Sequence, residues 1–159
     1  EILRCLVGSE MCIRDSDKTI RLIKEICVSL GISKIHFECH YMHRDAVKEF
    51  KESFEKLGIE CVIKLGLETF DYELRENVLV KGIDEKNPEV IARYFDEINL
   101  LQGIRGQTVE TMITDIETGL KYFIISVFCF FSDGRFCCSF FIRVSTVLNS
   151  LTQGISARQ

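Results

Sequence analysis

A chain of 159 residues, 47% of them hydrophobic, is long enough for one domain with a substantial core. Its formal net charge of −4 and the lack of a basic stripe exclude a protein that holds nucleic acid through its phosphates. No apolar stretch reaches the about 20 residues that cross a bilayer, and the first residues lack the pattern of a secretory signal peptide. We therefore expect neither a nucleic-acid partner nor a membrane.

The eight cysteines are irregularly spaced, at positions 5, 12, 27, 39, 61, 129, 137 and 138. Without a secretory signal, this spacing favours reduced thiols and a cytoplasmic protein over a disulfide framework.

The start of the chain does not read as part of a fold. Residues 6–16, LVGSEMCIRDS, resemble the translation of a transposon-end adapter used to build sequencing libraries. We interpret residues 1–16 as an adapter-like artefact and exclude them from fold reasoning. The alternative is a genuine N-terminal strand that contains Cys5 and Cys12.

Two amphipathic helices and a short strand are predicted next. The first helix begins near Asp17 and ends at Gly31, residues 34–39 form a strand, and the second helix ends at Gly58. The apolar positions of the two helices recur at helical spacing: Ile20, Ile23, Ile26, Cys27 and Leu30, then Val47, Phe50, Phe54 and Leu57.

The middle of the chain alternates strands with helices. Apolar residues alternate over positions 59–67, which predicts a strand. Leu74 and Val78 line the next helix, which Gly82 ends, and Asn87-Pro88 begins another.

A third strand is predicted over residues 97–103. The helix after it has an apolar stripe at Val109, Met112, Ile113, Ile116 and Leu120. The sum is an α/β fold with a curved parallel sheet and right-handed crossovers, whose ligands bind at the carboxyl ends of the strands.

Two strand–turn–helix motifs carry the candidate chemistry. In LGLETFDYELRENVLVKGI, residues 65–83, Glu68 ends a strand and projects from the carboxyl edge of the sheet. From the pattern alone, a solvated glutamate that caps the next helix is the better explanation. In INLLQGIRGQTVE, residues 98–110, Gly103 and Gly106 let the backbone approach a flat ligand, and Thr108 caps the helix.

Together these motifs resemble the fourth and fifth βα units of the radical S-adenosylmethionine (SAM) enzymes. The resemblance implies that Glu68 and Thr69 face bound SAM. It also implies that Gly103, Gly106 and Gln107 border its adenine, in a segment usually written G-L-P-G-Q-T-x-E. Arg105 replaces the usual proline, which puts the shape of that loop in question.

All three histidines lie in HFECHYMH, residues 36–43. Glu38, Cys39, His40 and His43 are competent zinc ligands, but no second cluster completes a closed site. The plainer interpretation is a polar strand end. In the resembling family, a G-G-E segment at this place binds the amino group of SAM. This chain lacks those glycines, so we expect Glu38 to replace that segment, His40 to face the substrate, and no metal to bind.

The spacing C-x-x-x-C-x-x-C is absent from the sequence. In the resembling family it holds the [4Fe–4S] cluster that binds SAM, and it normally precedes the helix that begins here near Asp17. We therefore expect a partial (β/α) barrel over residues 17–123, open on the side of a missing first strand. Its parent would use SAM and a [4Fe–4S] cluster on an unknown substrate, whereas this chain would hold no cluster and be inactive. The alternative is a non-catalytic nucleotide- or metal-binding βα domain.

The tail changes composition abruptly. Over residues 124–159 the only charged residues are Asp133, Arg135, Arg143 and Arg158. IISVFCFF, at its start, fits the apolar strand that should follow the last helix. The rest lacks helical periodicity, which a frameshift near Ile124 would explain. The alternative is a genuine, poorly patterned segment.

Overall fold

The structure is a computed structural model that describes residues 16–123 with their side chains, and the backbone alone of residues 125–132 and 135–142. The adapter interpretation of the N-terminal residues, including Cys5 and Cys12, lies outside this part, and the frameshift stays a prediction. The elements are α1 Asp17–Ser29, β1 Lys34–Glu38, α2 Arg44–Glu55, β2 Glu60–Glu68, α3 Pro88–Ile91, β3 Glu97–Gln102, α4 Val109–Tyr122, β4 Ile125–Ser132 and β5 Arg135–Ile142.

The five strands form one sheet in the order β1-β2-β3-β4-β5. Strands β1 to β4 are parallel neighbours, which confirms the predicted parallel α/β fold. The sheet is open at β1, which pairs with β2 alone among the described strands. Strand β5 runs antiparallel to β4, an addition that the sequence did not predict. Only two residues separate these strands, and a parallel crossover needs a dozen or more.

The helices begin and end for local reasons. The hydroxyl of Ser16 accepts a hydrogen bond from the amide of Thr19 at the start of α1. Gly31 and Gly58, with φ of 64° and 74°, end α1 and the turn after α2 in the left-handed conformation that glycine adopts without strain. Asn87 caps α3 by accepting from the amide of Glu89, as its Asn-Pro signal predicted.

The main core lies between one face of the sheet and the helices. Its fully buried members include Phe54, Ile63, Leu65, Ile98 and Leu100. Each such side chain contributes roughly 1.5–3 kcal/mol relative to an exposed one. Their alternation along β2 and β3 confirms the period-two pattern of the sequence.

Several apolar positions of the predicted helical stripes are exposed. Leu30 is 67% exposed and Leu57 47% exposed, because each lies beyond the last residue of its helix. On α4, Val109 and Ile113 are exposed, and the buried residues are Asp115 and Gly119. The helix predicted between Leu74 and Gly82 is a single wide turn, Leu74–Val78.

The opposite face of the sheet carries polar side chains. His36 on β1 and Glu97 on β3 lie two strands apart, about 10 Å along a flat sheet, yet His36 Nδ1 is 3.1 Å from Glu97 Oε1. Lys64 of β2 lies 3.7 Å from the other oxygen of Glu97. The side chains of three neighbouring strands therefore meet on this face of the sheet. No helix in the part described with side chains is long and apolar enough to cross a membrane.

Candidate functional site

The candidate site residues lie at or just after the carboxyl ends of β1, β2 and β3. Because these strands are parallel neighbours, their three following loops meet at one edge of the sheet. Glu38 ends β1 and His40 lies in the loop after it, while Glu68 ends β2 and Thr69 begins the second loop. The segment of residues 103–107 is the third.

Glu68 ends β2 in a left-handed conformation, with φ of 73°. Its Oε1 lies 2.9 Å from the Nζ of Lys81. The pair lies over Gly66, where an added Cβ would be 3.3 Å from Glu68 Oε1 and 3.6 Å from Lys81 Nζ. Glycine at position 66 therefore leaves the space in which the carboxylate is held.

Thr69 has no exposed surface. Its hydroxyl accepts from the amide of Asp71 at 3.0 Å and hydrogen-bonds the carboxylate of Asp115. Thr69 therefore holds the loop after β2 against Asp115 of α4.

Asp115 of α4 ties the two motifs together. Its Oδ1 accepts from the amide of Phe70 at 2.7 Å, and its Oδ2 accepts from the Nε2 of Gln107 at 3.3 Å. Burial raises the pKa of Asp115, and the hydrogen bonds from Phe70, Thr69 and Gln107 oppose that shift. Asp115 was absent from the sequence prediction because it interrupts the apolar stripe of its helix.

The third loop is held by the amide side chain of Gln107. Its Oε1 accepts from the amide of Ile104 at 2.9 Å, and its Nε2 donates to the carbonyl of Leu101 at 3.1 Å. Gly103 and Gly106, at φ of 79° and 104°, are exposed and adopt the left-handed backbone that this turn requires. The loop thus presents open backbone at the edge of the sheet.

Arg75 braces the second loop from inside. It is fully buried and donates to the carbonyls of Thr69 at 3.3 Å and Ile83 at 3.1 Å, and to that of Glu85. Its Nε also pairs with Glu76 at 3.1 Å. Sequence reasoning missed this role, because Arg75 lies among the polar residues Glu73, Glu76 and Asn77 and no pattern marks it as buried.

His40 uses both ring nitrogens within the protein. Nδ1 accepts from the amide of Met42 at 3.2 Å, so the proton of the neutral ring is on Nε2, which donates to the carbonyl of Lys81 at 2.7 Å. Neither nitrogen is left for a metal. Over residues 16–123, no three His, Cys, Asp or Glu side chains converge as a metal site.

Glu38, in contrast, is not drawn into this network. It is exposed and forms no hydrogen bond or ion pair with the residues that the structure describes. The structure therefore joins Glu68 to His40 through Lys81. It joins Thr69 to Gln107 through Asp115, and Glu38 belongs to neither network.

Comparison with solved structures finds a queuine lyase from Clostridium spiroforme, bound to SAM and queuine. The two chains are 31% identical and superpose with a TM-score of 0.71, over 92% of this chain and 61% of the lyase. This chain therefore spans about three-fifths of the length of the lyase. No protein-family model and no curated protein sequence matches it.

Proposed function

Because the chain has a radical SAM core, we propose that the edge formed by its three loops binds SAM. The single observation that carries this proposal is the similarity to a SAM-bound lyase at 31% identity and a TM-score of 0.71. The whole protein would be an enzyme that cleaves SAM reductively to start radical chemistry on a small molecule.

The residues at this edge fit SAM by their chemistry. Oε1 of Glu68 is held by Lys81, and Oε2 remains available to accept from a ribose hydroxyl or an ammonium group. The open backbone of residues 103–107 is suited to lie along the adenine. Thr69, Asp115 and Gln107 would hold the two loops at a fixed separation.

The described cysteines do not fit an iron–sulfur cluster. Cys27, Cys39 and Cys61 are buried in the core. Burial raises the pKa of Cys27, and it raises that of Cys61 to about 12, whereas a cluster needs thiolates. We therefore assign the [4Fe–4S] cluster to the whole protein only, and propose that the chain as written is inactive.

The polar face of the sheet suits a polar substrate. Oδ1 of Asn99 is a buried acceptor that receives no hydrogen bond from residues in the part of the chain described with side chains. Oε1 of Glu97 is buried as well and has the His36 ring 3.1 Å away. They lie on the same side of β3 and would accept from N–H groups of a ligand. The lyase similar to this chain binds queuine, so queuine is the first substrate to test.

The proposal is tested by titrating the 159-residue chain with SAM, without iron, in a calorimeter. We expect one SAM per chain and several-fold weaker binding after Glu68→Gln. Glu60→Gln, at the opposite edge of β2, is the matched control and should bind as the wild type does. No binding at millimolar SAM would contradict the proposal, and tighter binding of ATP than of SAM would favour a nucleotide-binding domain.

A further inference from the structure

Backbone strain in the described chain is concentrated at two places beside the proposed SAM site. Glu68 and Val80 are the only non-glycine residues with positive φ over residues 16–123, at 73° and 51°. Val80 is β-branched, which makes this conformation costly, and Gly82 follows at 67°. Strain of this kind persists only where the surroundings impose it, and it clusters at functional sites.

Lys81 lies inside this strained turn and is held on three sides. Its amide donates to the carbonyl of Arg75 at 3.2 Å, and its carbonyl accepts from His40 Nε2 at 2.7 Å. Its ammonium reaches back to Glu68 Oε1 at 2.9 Å. The fully buried Arg75 and the end of β1 thus fix the backbone from which Lys81 extends.

The ion pair is also partly shielded from solvent. The side chains of Lys81 and Glu68 are 27% and 16% exposed, whereas in the Lys34–Glu60 pair at the other end of the strands they are 35% and 63% exposed. Both pairs are short, at 2.9 and 2.8 Å. A less solvated pair on a fixed backbone restrains its carboxylate more strongly than an exposed pair does.

We propose that Lys81 is a positioning residue for ligand binding: its ammonium fixes one oxygen of Glu68 over Gly66, so that the other oxygen faces the ligand. This inference rests on the proposed function, since the ligand is SAM. His40 contributes indirectly, because its ring holds the backbone carbonyl of Lys81 in place.

If the Lys81–Glu68 ion pair only stabilised the fold, replacing Lys81 would not change how tightly the folded chain binds SAM. SAM titration of the full chain distinguishes this role from a positioning role. We expect Lys81→Met to weaken SAM binding roughly tenfold, while Lys81→Arg, which keeps the charge, stays within about threefold. In the Glu68→Gln background, Lys81→Met should weaken binding no further, because the oriented group is already altered. Lys34→Met is the matched control and should leave the affinity unchanged.

The outcomes distinguish the inference from the function on which it rests. If the wild type binds SAM and Lys81→Met binds equally well, the inference is overturned and the proposed function stands. The inference is also overturned if Lys81→Met adds its full effect to Glu68→Gln, or if Lys81→Met and Lys81→Arg both fail to fold. If the wild type binds no SAM, the proposed function fails, and this inference with it.

Discussion

The carboxylate of Asp115 accepts a 2.7 Å hydrogen bond from the amide of Phe70, a residue 45 positions earlier in the chain. This bond joins α4 to the loop that follows β2. Through its second oxygen, the same carboxylate meets Gln107 of the neighbouring loop. One buried acid therefore sets the separation of the two motifs that we propose to hold SAM.

Replacing Asp115 with alanine is expected to destabilise the fold. The amide of Phe70 would lose its acceptor in a buried place, and an unsatisfied buried donor costs about 1–3 kcal/mol. Urea unfolding of the full chain should show a loss of about 2–3 kcal/mol. Glu117→Ala, at an exposed position on the same helix, is the control and should change the free energy of unfolding by less than about 0.5 kcal/mol.

The free energy of unfolding should depend on pH through the protonation of Asp115. Burial raises its folded pKa above 3.8, so in acid the native state keeps this proton longer than the unfolded state does. Its contribution is fully present below pH 3.8 and declines as the pH rises through the folded pKa. The wild type minus Asp115→Asn difference in the free energy of unfolding should therefore fall over that window and then stay level. A difference that rises with pH would contradict the shift.

Arg75→Met should be among the most damaging single changes. Three backbone carbonyls would lose their donor, and the carboxylate of Glu76 would lose its partner. Removing one partner of a buried ion pair costs about 3–5 kcal/mol. Arg75→Lys should recover little, because an ammonium does not reproduce the fork of a guanidinium. Arg93→Met, at an exposed position, should be nearly neutral in the same unfolding experiment.

Periodicity predicted the parts of the fold that depend on neighbouring residues. The alternation along β2 and the caps at Ser16, Asn87 and Thr108 are local, and the structure confirms the strand and the caps that the sequence indicated at Asn87 and Thr108. Helical stripes identified the correct side of α4 only in part. A stripe gives the direction of the buried face but not its width, so Val109 and Ile113 belong to the stripe and are nevertheless exposed.

The candidate site was predictable only in outline. The resemblance identified Glu68 and Gln107, but not the long-range contacts that hold the loops of the site together. His40 and Lys81 are 41 residues apart, and Phe70 and Asp115 are 45 apart. Such pairs form only once the strands lie side by side, and no local pattern marks them.

Gln107→Ala should loosen the third loop. The amide of Ile104 and the carbonyl of Leu101 would both lose their side-chain partner. We expect a loss of about 1–2 kcal/mol in stability, together with several-fold weaker SAM binding. Unchanged stability and affinity would show that the cap at Thr108 and the glycines hold the loop without Gln107.

Val80→Asn is expected to stabilise the chain without weakening the proposed site. A non-glycine residue in the left-handed region costs about 1–2 kcal/mol, and asparagine adopts this conformation more readily than a β-branched residue does. Val80 is 77% exposed, so replacing its side chain removes little apolar contact. The free energy of unfolding should rise by about 1 kcal/mol, with SAM affinity unchanged because the turn that carries Lys81 keeps its shape. Val78→Asn, 60% exposed and without positive φ, is the matched control. An equal gain in both variants would show that the effect comes from placing a polar side chain at an exposed position and not from relief of backbone strain at Val80.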